Sequence, residues 1–243
     1  MKTRIIVNGA SGKMGHLACE TLQQHPDFNL VAQLGKQDDL SHMIASTQAE
    51  IVVDLTRADC VYDNSYQIIA AGARPVIGTS GLLPEQIQHL TQLCAAQHLG
   101  GIIVPNFSIG AVLMMMCAAK ISAYFSEVEI IEMHHQQKQD APSGTALKTA
   151  EMIASARVKP KNQLALKELI DGVRGGKQQE IHIHSLRLPG ILAKQEVLFG
   201  GPGETLSISH NSIDRHCFMP GVVLACQKVR DLNTLVYGLE AVL

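Results

Sequence analysis

The chain has 243 residues, 46% of them apolar, with no Trp and 4% aromatics, which is enough for one large or two modest domains around an aliphatic core. A net charge of −2 gives no electrostatic case for a nucleic-acid partner or an anionic membrane. The cysteines at 19, 60, 94, 117, 217 and 226 form no C-x-x-C pair, which argues against a zinc or disulfide framework and for reduced thiols in the cytoplasm.

Lys2-Thr3-Arg4 leads straight into a strand, Ile5-Ile6-Val7, with no signal-peptide apolar region. Gly9-Ala10-Ser11-Gly12-Lys13-Met14-Gly15 follows, a G-x-x-G-x-x-G turn opening a helix whose apolar face includes Met14, Leu17, Ala18 and Leu22. Between a strand and a helix, such glycines allow a tight turn and a close approach to a pyrophosphate. A second strand, Phe28 to Leu34, should end beside the adenosine ribose of a dinucleotide. An Asp or Glu there would accept from the 2′-hydroxyl of NADH. This chain instead has Gly35-Lys36, and a cation without the carboxylate favours the 2′-phosphate of NADPH; Asp38 and Asp39 lie close enough to serve NADH. Further strands are expected at Glu50 to Asp54, Pro75 to Ile77 and Ile102 to Val104, alternating with helices at Ala58 to Ala71 and Pro84 to His98. That alternation predicts a doubly wound parallel sheet.

The run from Ile109 to Ser122 is apolar nearly all round, which predicts a helix buried between layers with Met114, Met115 and Met116 in the core. Its apolar stretch is too short to span a bilayer. Val128 to Met133 reads as a strand that delivers Glu132 to Ala146, EMHHQQKQDAPSGTA. Here two imidazoles, His134 and His135, stand near an ammonium, Lys138. Ser143-Gly144-Thr145 then opens a helix, with Ser143 as its N-cap. A helix start of small residues is a seat for carboxylate or phosphate. Adjacent histidines cannot easily both face one ion, so no metal is expected. After a polar connection from Arg157 to Gln179, strands at Glu180 to Leu188, Lys194 to Phe199 and Thr205 to His210 follow without helices, which predicts a mixed or antiparallel sheet. His182 and His184 alternate on one face and are expected to be exposed to solvent. Arg215 to Val229 reads as a final helix.

The loop carries every fixed position of E-x-H-H-x-x-K-x-D-A-P-S-G-T-A, and so resembles the catalytic signature of the 4-hydroxy-tetrahydrodipicolinate reductase (dihydrodipicolinate reductase) family. The resemblance extends from Gly9 to Ala225. Gly78-Thr79-Ser80-Gly81 matches the family's G-T-[TS]-G turn, and Pro105-Asn106-Phe107-Ser108 matches its P-N-F-S stretch after Val104. Arg215, Phe218, Gly221 and Ala225 match R-x-x-F-x-x-G-x-x-x-A. The chain departs from the family at Gly35, where an acid is common, at Leu55 for Phe, at Asp214 for Ser, and at Ala193-Lys194-Gln195 for G-E-H.

The resemblance implies a Rossmann-like dinucleotide-binding domain, residues 1–105 and 216–243, and an α+β substrate-binding and oligomerisation domain, residues 106–215. It implies reduction of 4-hydroxy-tetrahydrodipicolinate (dihydrodipicolinate) to tetrahydrodipicolinate with NADPH or NADH, NADPH being favoured by Lys36. Residues 9–15, Lys36, Gly78, Thr79, Ser80 and Val104 to Phe107 would hold the cofactor. His134 would be the acid, Lys138 would complete proton donation or steady the charge, and His135, Ser143, Gly144 and Thr145 would hold the dicarboxylate. A cytoplasmic homotetramer assembled through substrate-domain sheets is also implied. A reductase of another imine, or a nucleotide sensor without catalysis, would share the fold; the sensor would have no use for His134 and Lys138 together.

Overall fold

The computed structural model describes residues 2–157 and 167–243. Its backbone divides into two compact units, Met1–Ile109 with Arg215–Leu243, and Gly110–Asp214.

In the first unit strands and helices alternate: β1 (Thr3–Asn8), α1 (Lys13–Gln24), β2 (Phe28–Leu34), α2 (Leu40–Thr47), β3 (Ile51–Asp54), α3 (Val61–Ala70), β4 (Arg74–Ile77), α4 (Pro84–Ala96) and β5 (Gly101–Ile103). Ile5, Ile6, Val7, Ile51, Val52 and Val53 are fully buried, as strands covered on both faces must be. The unit closes with α7 (Met219–Lys228) and β11 (Leu235–Tyr237), separated from the first part by the second unit's elements. All six strands are parallel, in the order β11-β5-β4-β3-β1-β2. The order reverses between β1 and β3, so the C-terminal ends of those two strands flank the crevice where such sheets bind ligands.

The second unit begins with α5 (Ile109–Ile121) and β6 (Glu127–His134), continues with α6 (Gly144–Ala156), and ends with β7 (Gly176–Gln178), β8 (Ile181–Arg187), β9 (Ala193–Gly201) and β10 (Glu204–Ser212). Its sheet runs β10-β9-β6-β8-β7 and is mixed: β6 and β8 are parallel and every other pair antiparallel. One face packs Val128, Ile130, Ile181, Ile183, Val197 and Phe199 against Ala118 of α5 and Ala146, Ala150 and Ile153 of α6.

Four expectations need correction. The α5 helix is not buried all round: Ala111, Val112, Met114, Met115 and Ala118 are inside, but Leu113 is 45% and Met116 37% exposed. A helix laid on one face of a sheet has one side to bury, however apolar the other. His182 and His184 are half-buried rather than solvated, and His184 Nε2 lies 2.7 Å from Glu129 Oε2. The connection after Arg157 contains β7, although part of it, including Pro160, lies outside the described residues. The final helix is a 3-10 turn over Arg215–Phe218 before α7 begins, with Pro220 in the first turn, where its missing N–H costs nothing. The sequence reading also passed over α2 and β11. Among the described residues no helix is long and apolar enough to cross a membrane.

Candidate active site

The glycine turn between β1 and α1 is shaped by contacts that leave no room for side chains. Gly9 has φ +88°, and a Cβ there would stand 2.4 Å from Leu55 O. A Cβ on Gly15 would stand 2.1 Å from Gly9 O, so α1 presses directly on the turn. The amides of Gly9 and Ala10 both donate to Leu34 O at 2.9 Å, which fixes the turn against the end of β2.

Beside it lies a cavity of about 450 Å³ lined by Gly9, Ser11, Gly12 and Lys36, by Asp38, Leu55 and Thr56, which the sequence also puts near a cofactor, and by Asn8, Gly35, Leu40, Arg57, Asp59, Cys60 and Asn64. It sits at the reversal of strand order and combines a glycine turn with two cations, features that fit a dinucleotide. Asp38 accepts from Gly35 N at 2.7 Å, and Asp39 caps α2 by accepting from His42 N at 3.0 Å. Both acids that might have served a ribose are therefore engaged in local turns. Arg57 pairs with Asp59 at 2.5 Å.

At the floor of this end of the sheet Asp54 is fully buried, with no cation bonded to it among the described residues. Five donors satisfy it instead: Asn8 Nδ2 at 3.0 Å, Asn64 Nδ2 at 2.9 Å, Thr56 N at 3.3 Å, Thr56 Oγ1 at 2.7 Å and Thr79 Oγ1 at 2.7 Å. The carboxylate thus joins the end of β1 and the segments after β3 and β4 to α3. Gly78 packs against the Phe107 ring and Leu55, since a Cβ on it would lie 2.5 Å from Phe107 Cε2 and 2.6 Å from Leu55 Cδ2. Val104 N donates to Ile77 O at 2.7 Å. Gly78, Thr79, Val104 and Phe107 are hence gathered at one end, with Ser80 and Pro105 exposed beside them and Asn106 half-buried. Ala10, Lys13, Met14 and Gly15 frame the turn without lining the cavity.

In the second unit β6 ends in His134, and the loop beyond it turns back through Lys138 N, which donates to His135 O at 3.1 Å. Lys138 Nζ meets both carboxylate oxygens of Asp140, at 2.9 and 2.8 Å, and the Lys138 ammonium holds the Asp140 carboxyl below its usual range. Ser143 caps α6 by accepting from Ala146 N at 3.2 Å. Ser143 is buried, so its hydroxyl shapes the helix start from behind; Gly144 is exposed, with open space where a Cβ would be. His135 and Thr145 are half-buried on the same loop and helix start.

Two residues with no role assigned from sequence, one of them the first fixed position of the signature, organise this loop. Glu132 is fully buried, with Oε2 2.5 Å from His134 Nδ1. Arg187, at the end of β8, grips it in a fork: Nη1 to Oε2 at 3.1 Å and Nη2 to Oε1 at 2.9 Å. The same guanidinium donates to Asp140 O at 2.6 Å and Lys138 O at 3.3 Å. Burial pushes the Glu132 carboxyl up, but hydrogen bonds from His134, Arg187 and Ser185 outweigh it and bring the pKa from 4.5 to about 2. The signal was present in the alternation of β6, which puts residue 132 on the same inward face as Val128 and Ile130.

Known proteins resemble this chain over its whole length. Residues 3–107 match the family described as dihydrodipicolinate reductase, N-terminus, and residues 110–243 match its C-terminal counterpart. The 4-hydroxy-tetrahydrodipicolinate reductase of Legionella pneumophila (strain Corby) is 71% identical over 243 residues, the whole of both chains. The enzyme of that name from Coxiella burnetii (strain RSA 493 / Nine Mile phase I) is 50% identical, again over the whole of both chains. Among solved structures, the dipicolinate-bound dihydrodipicolinate reductase from Paenisporosarcina sp. TG-14 superposes with a TM-score of 0.93 at 41% identity, covering 100% of each chain.

Proposed function

The chain belongs to the dihydrodipicolinate reductase family, and from that premise we infer that it reduces 4-hydroxy-tetrahydrodipicolinate (dihydrodipicolinate) to tetrahydrodipicolinate with NAD(P)H, a step of lysine and diaminopimelate biosynthesis. The reduced nicotinamide, when bound, supplies the hydride. Hydride addition to a conjugated C=C–C=N unit leaves negative charge that must collect a proton. His134 donates that proton, and Lys138 steadies the charge or completes the donation. His135 and the Gly144-Thr145 start of α6 hold carboxylate, with Ser143 keeping that helix start in shape. The observation that carries this assignment is the loop itself: an imidazole on a buried carboxylate, an ammonium and a helix N-terminus within one turn of chain.

The cofactor lies along the glycine turn, residues 9–15, with Gly78, Thr79, Ser80 and Val104 to Phe107 at its nicotinamide end. NADPH is preferred, because Lys36 lines the cavity with no ion pair among the described residues, while Asp38 and Asp39 each accept from a backbone N–H and Arg57 is paired with Asp59. Burial pushes the Cys19 and Cys94 thiols up to about 11 and raises Cys226 as well, which suits reduced, inert core thiols in a cytoplasmic protein. The face of the β10–β7 sheet opposite α5 and α6, with half-buried Ile131, Met133, Leu186 and Leu198, supports assembly into a homotetramer through these sheets.

The test follows reduced-nicotinamide absorbance while the preceding synthase makes the substrate from pyruvate and aspartate semialdehyde. Oxidation that depends on the synthase product is expected, faster with NADPH than with NADH. Folded protein that binds NADPH but oxidises neither cofactor would replace the reductase by a nucleotide sensor.

A further inference from the structure

The loop's fixed spacing has a source outside the loop. Glu132 lies opposite Ser185 on β8 and Gln195 on β9, in a row across the inward face of the sheet. His134 is two residues further along β6 on that face. As an ionised carboxylate, Glu132 can only accept, so the hydrogen in the 2.5 Å contact belongs to His134 Nδ1. Nε2 is then the nitrogen that gains and loses the proton. Arg187 uses its fork on Glu132 and its remaining donors on the carbonyls of Leu186, Lys138 and Asp140. Leu188 N, just beyond, donates to His134 O at 3.0 Å. One guanidinium therefore joins the strand that carries the acid to the turn that carries the ammonium.

We propose that Glu132 is the positioning residue of His134 and that Arg187 clamps both Glu132 and the Lys138–Asp140 turn, so that the proton leaves from Nε2 with Lys138 held at a fixed distance. This rests on His134 being the acid. In each turnover the imidazolium gives its Nε2 proton to the substrate, keeps the Nδ1 hydrogen on Glu132, and takes a proton back from water. The charged groups around His134 are Glu132 on its own strand, Arg187 from β8, and His135, Lys138 and Asp140 from the loop. From β9, uncharged Ala193 stands opposite, and α6 contributes Thr149, bonded to Gln195.

The test compares Glu132→Gln, Arg187→Lys and His134→Asn in the full chain. The readouts are kcat and KM against pH, cofactor affinity, and the His134 ring-nitrogen NMR shifts. Glu132→Gln should lower kcat at least about 10-fold, part of the roughly 10²–10⁴ that general acid assistance supplies. It should also move the pH limb of kcat, mix the Nδ1–H and Nε2–H tautomers, and leave reduced-cofactor affinity unchanged. Arg187→Lys keeps the charge but loses the fork, so it should raise the substrate KM more than it moves the pH limb. An unaltered pH limb and tautomer in folded Glu132→Gln, with His134→Asn inactive, overturns the positioning role and spares the acid. Full turnover by His134→Asn removes the acid reading first. Should Glu132→Gln not fold, Arg187→Lys decides alone: unchanged substrate KM overturns the clamp.

Discussion

Removing the Lys36 ammonium separates the two cofactors most directly. Lys36 lines the cavity on its exposed rim, and no ion pair engages it among the described residues, whereas Arg57 is already paired with Asp59. A charge-assisted contact to a phosphate is worth about 1.5–3 kcal/mol when well formed. At an exposed rim the figure falls to about 0.5–1 kcal/mol, which is about 2–5-fold in Kd. Lys36→Ala should therefore weaken NADPH by that factor and leave NADH within about 2-fold, since NADH lacks the 2′-phosphate. Titration of reduced-nicotinamide fluorescence at two salt concentrations measures both, and the NADPH loss should shrink at high salt. Gly35→Glu is the complementary change. A Cβ there meets nothing nearer than Asp38 Oδ2 at 3.8 Å, so the side chain fits. The new carboxylate should repel the phosphate and accept from the ribose hydroxyl, turning the preference toward NADH. Equal losses of NADPH and NADH in Lys36→Ala would refute the reasoning, because they would mean that Lys36 holds a part common to both.

Three further outcomes are expected. Lys138→Ala should lower kcat and raise the substrate KM with little change in thermal midpoint, because its partner Asp140 is exposed; an effect confined to NADPH binding would contradict its role. Gly15→Ala should cost about 1–3 kcal/mol of stability, read from urea unfolding, and weaken the dinucleotide, because its Cβ would meet only backbone, Gly9 O at 2.1 Å first; Gly176→Ala in β7, with nothing within 4 Å, is the silent control. The Glu132 carboxyl, lowered from 4.5 to about 2, stabilises the fold by on the order of 3 kcal/mol that is present above about pH 5 and lost as pH falls toward 2. The stability difference between wild type and Glu132→Gln, measured by urea unfolding from pH 6 downward, should shrink over that window, and a constant difference would count against the ionised pair.

Much of this was legible because it is local. Apolar runs and glycine punctuation mark every parallel strand from β1 to β5, and the string from Glu132 to Ala146 places His134, Lys138 and the cap of α6 on one loop. The failures share a physical cause, which is that the deciding partner lies far away in sequence. α2 is the exception, a local signal passed over, since Asp39 stands as its N-cap just before Leu40; nothing near Leu235 announces β11, which is a strand because β5 offers it an open edge. Arg187 reads as the end of a strand until the parallel pairing of β6 with β8 brings it to Glu132, across 55 residues. Asp54 reads as a strand terminus until donors from β1, α3 and the β4 turn converge on it.

Gln195 shows the same limit at a departure from the family pattern. Sequence marks only that a His is replaced. In the fold Gln195 stands opposite Glu132, donates to Thr149 Oγ1 at 2.6 Å, and leaves its own Oε1 buried without a hydrogen-bond partner among the described residues. Its amide links β9 to α6, while an unsatisfied buried oxygen costs about 1–3 kcal/mol. Gln195 therefore ties sheet to helix through one amide atom while the other finds no partner among the described residues, an arrangement that only the pairing of β6 with β9 makes visible.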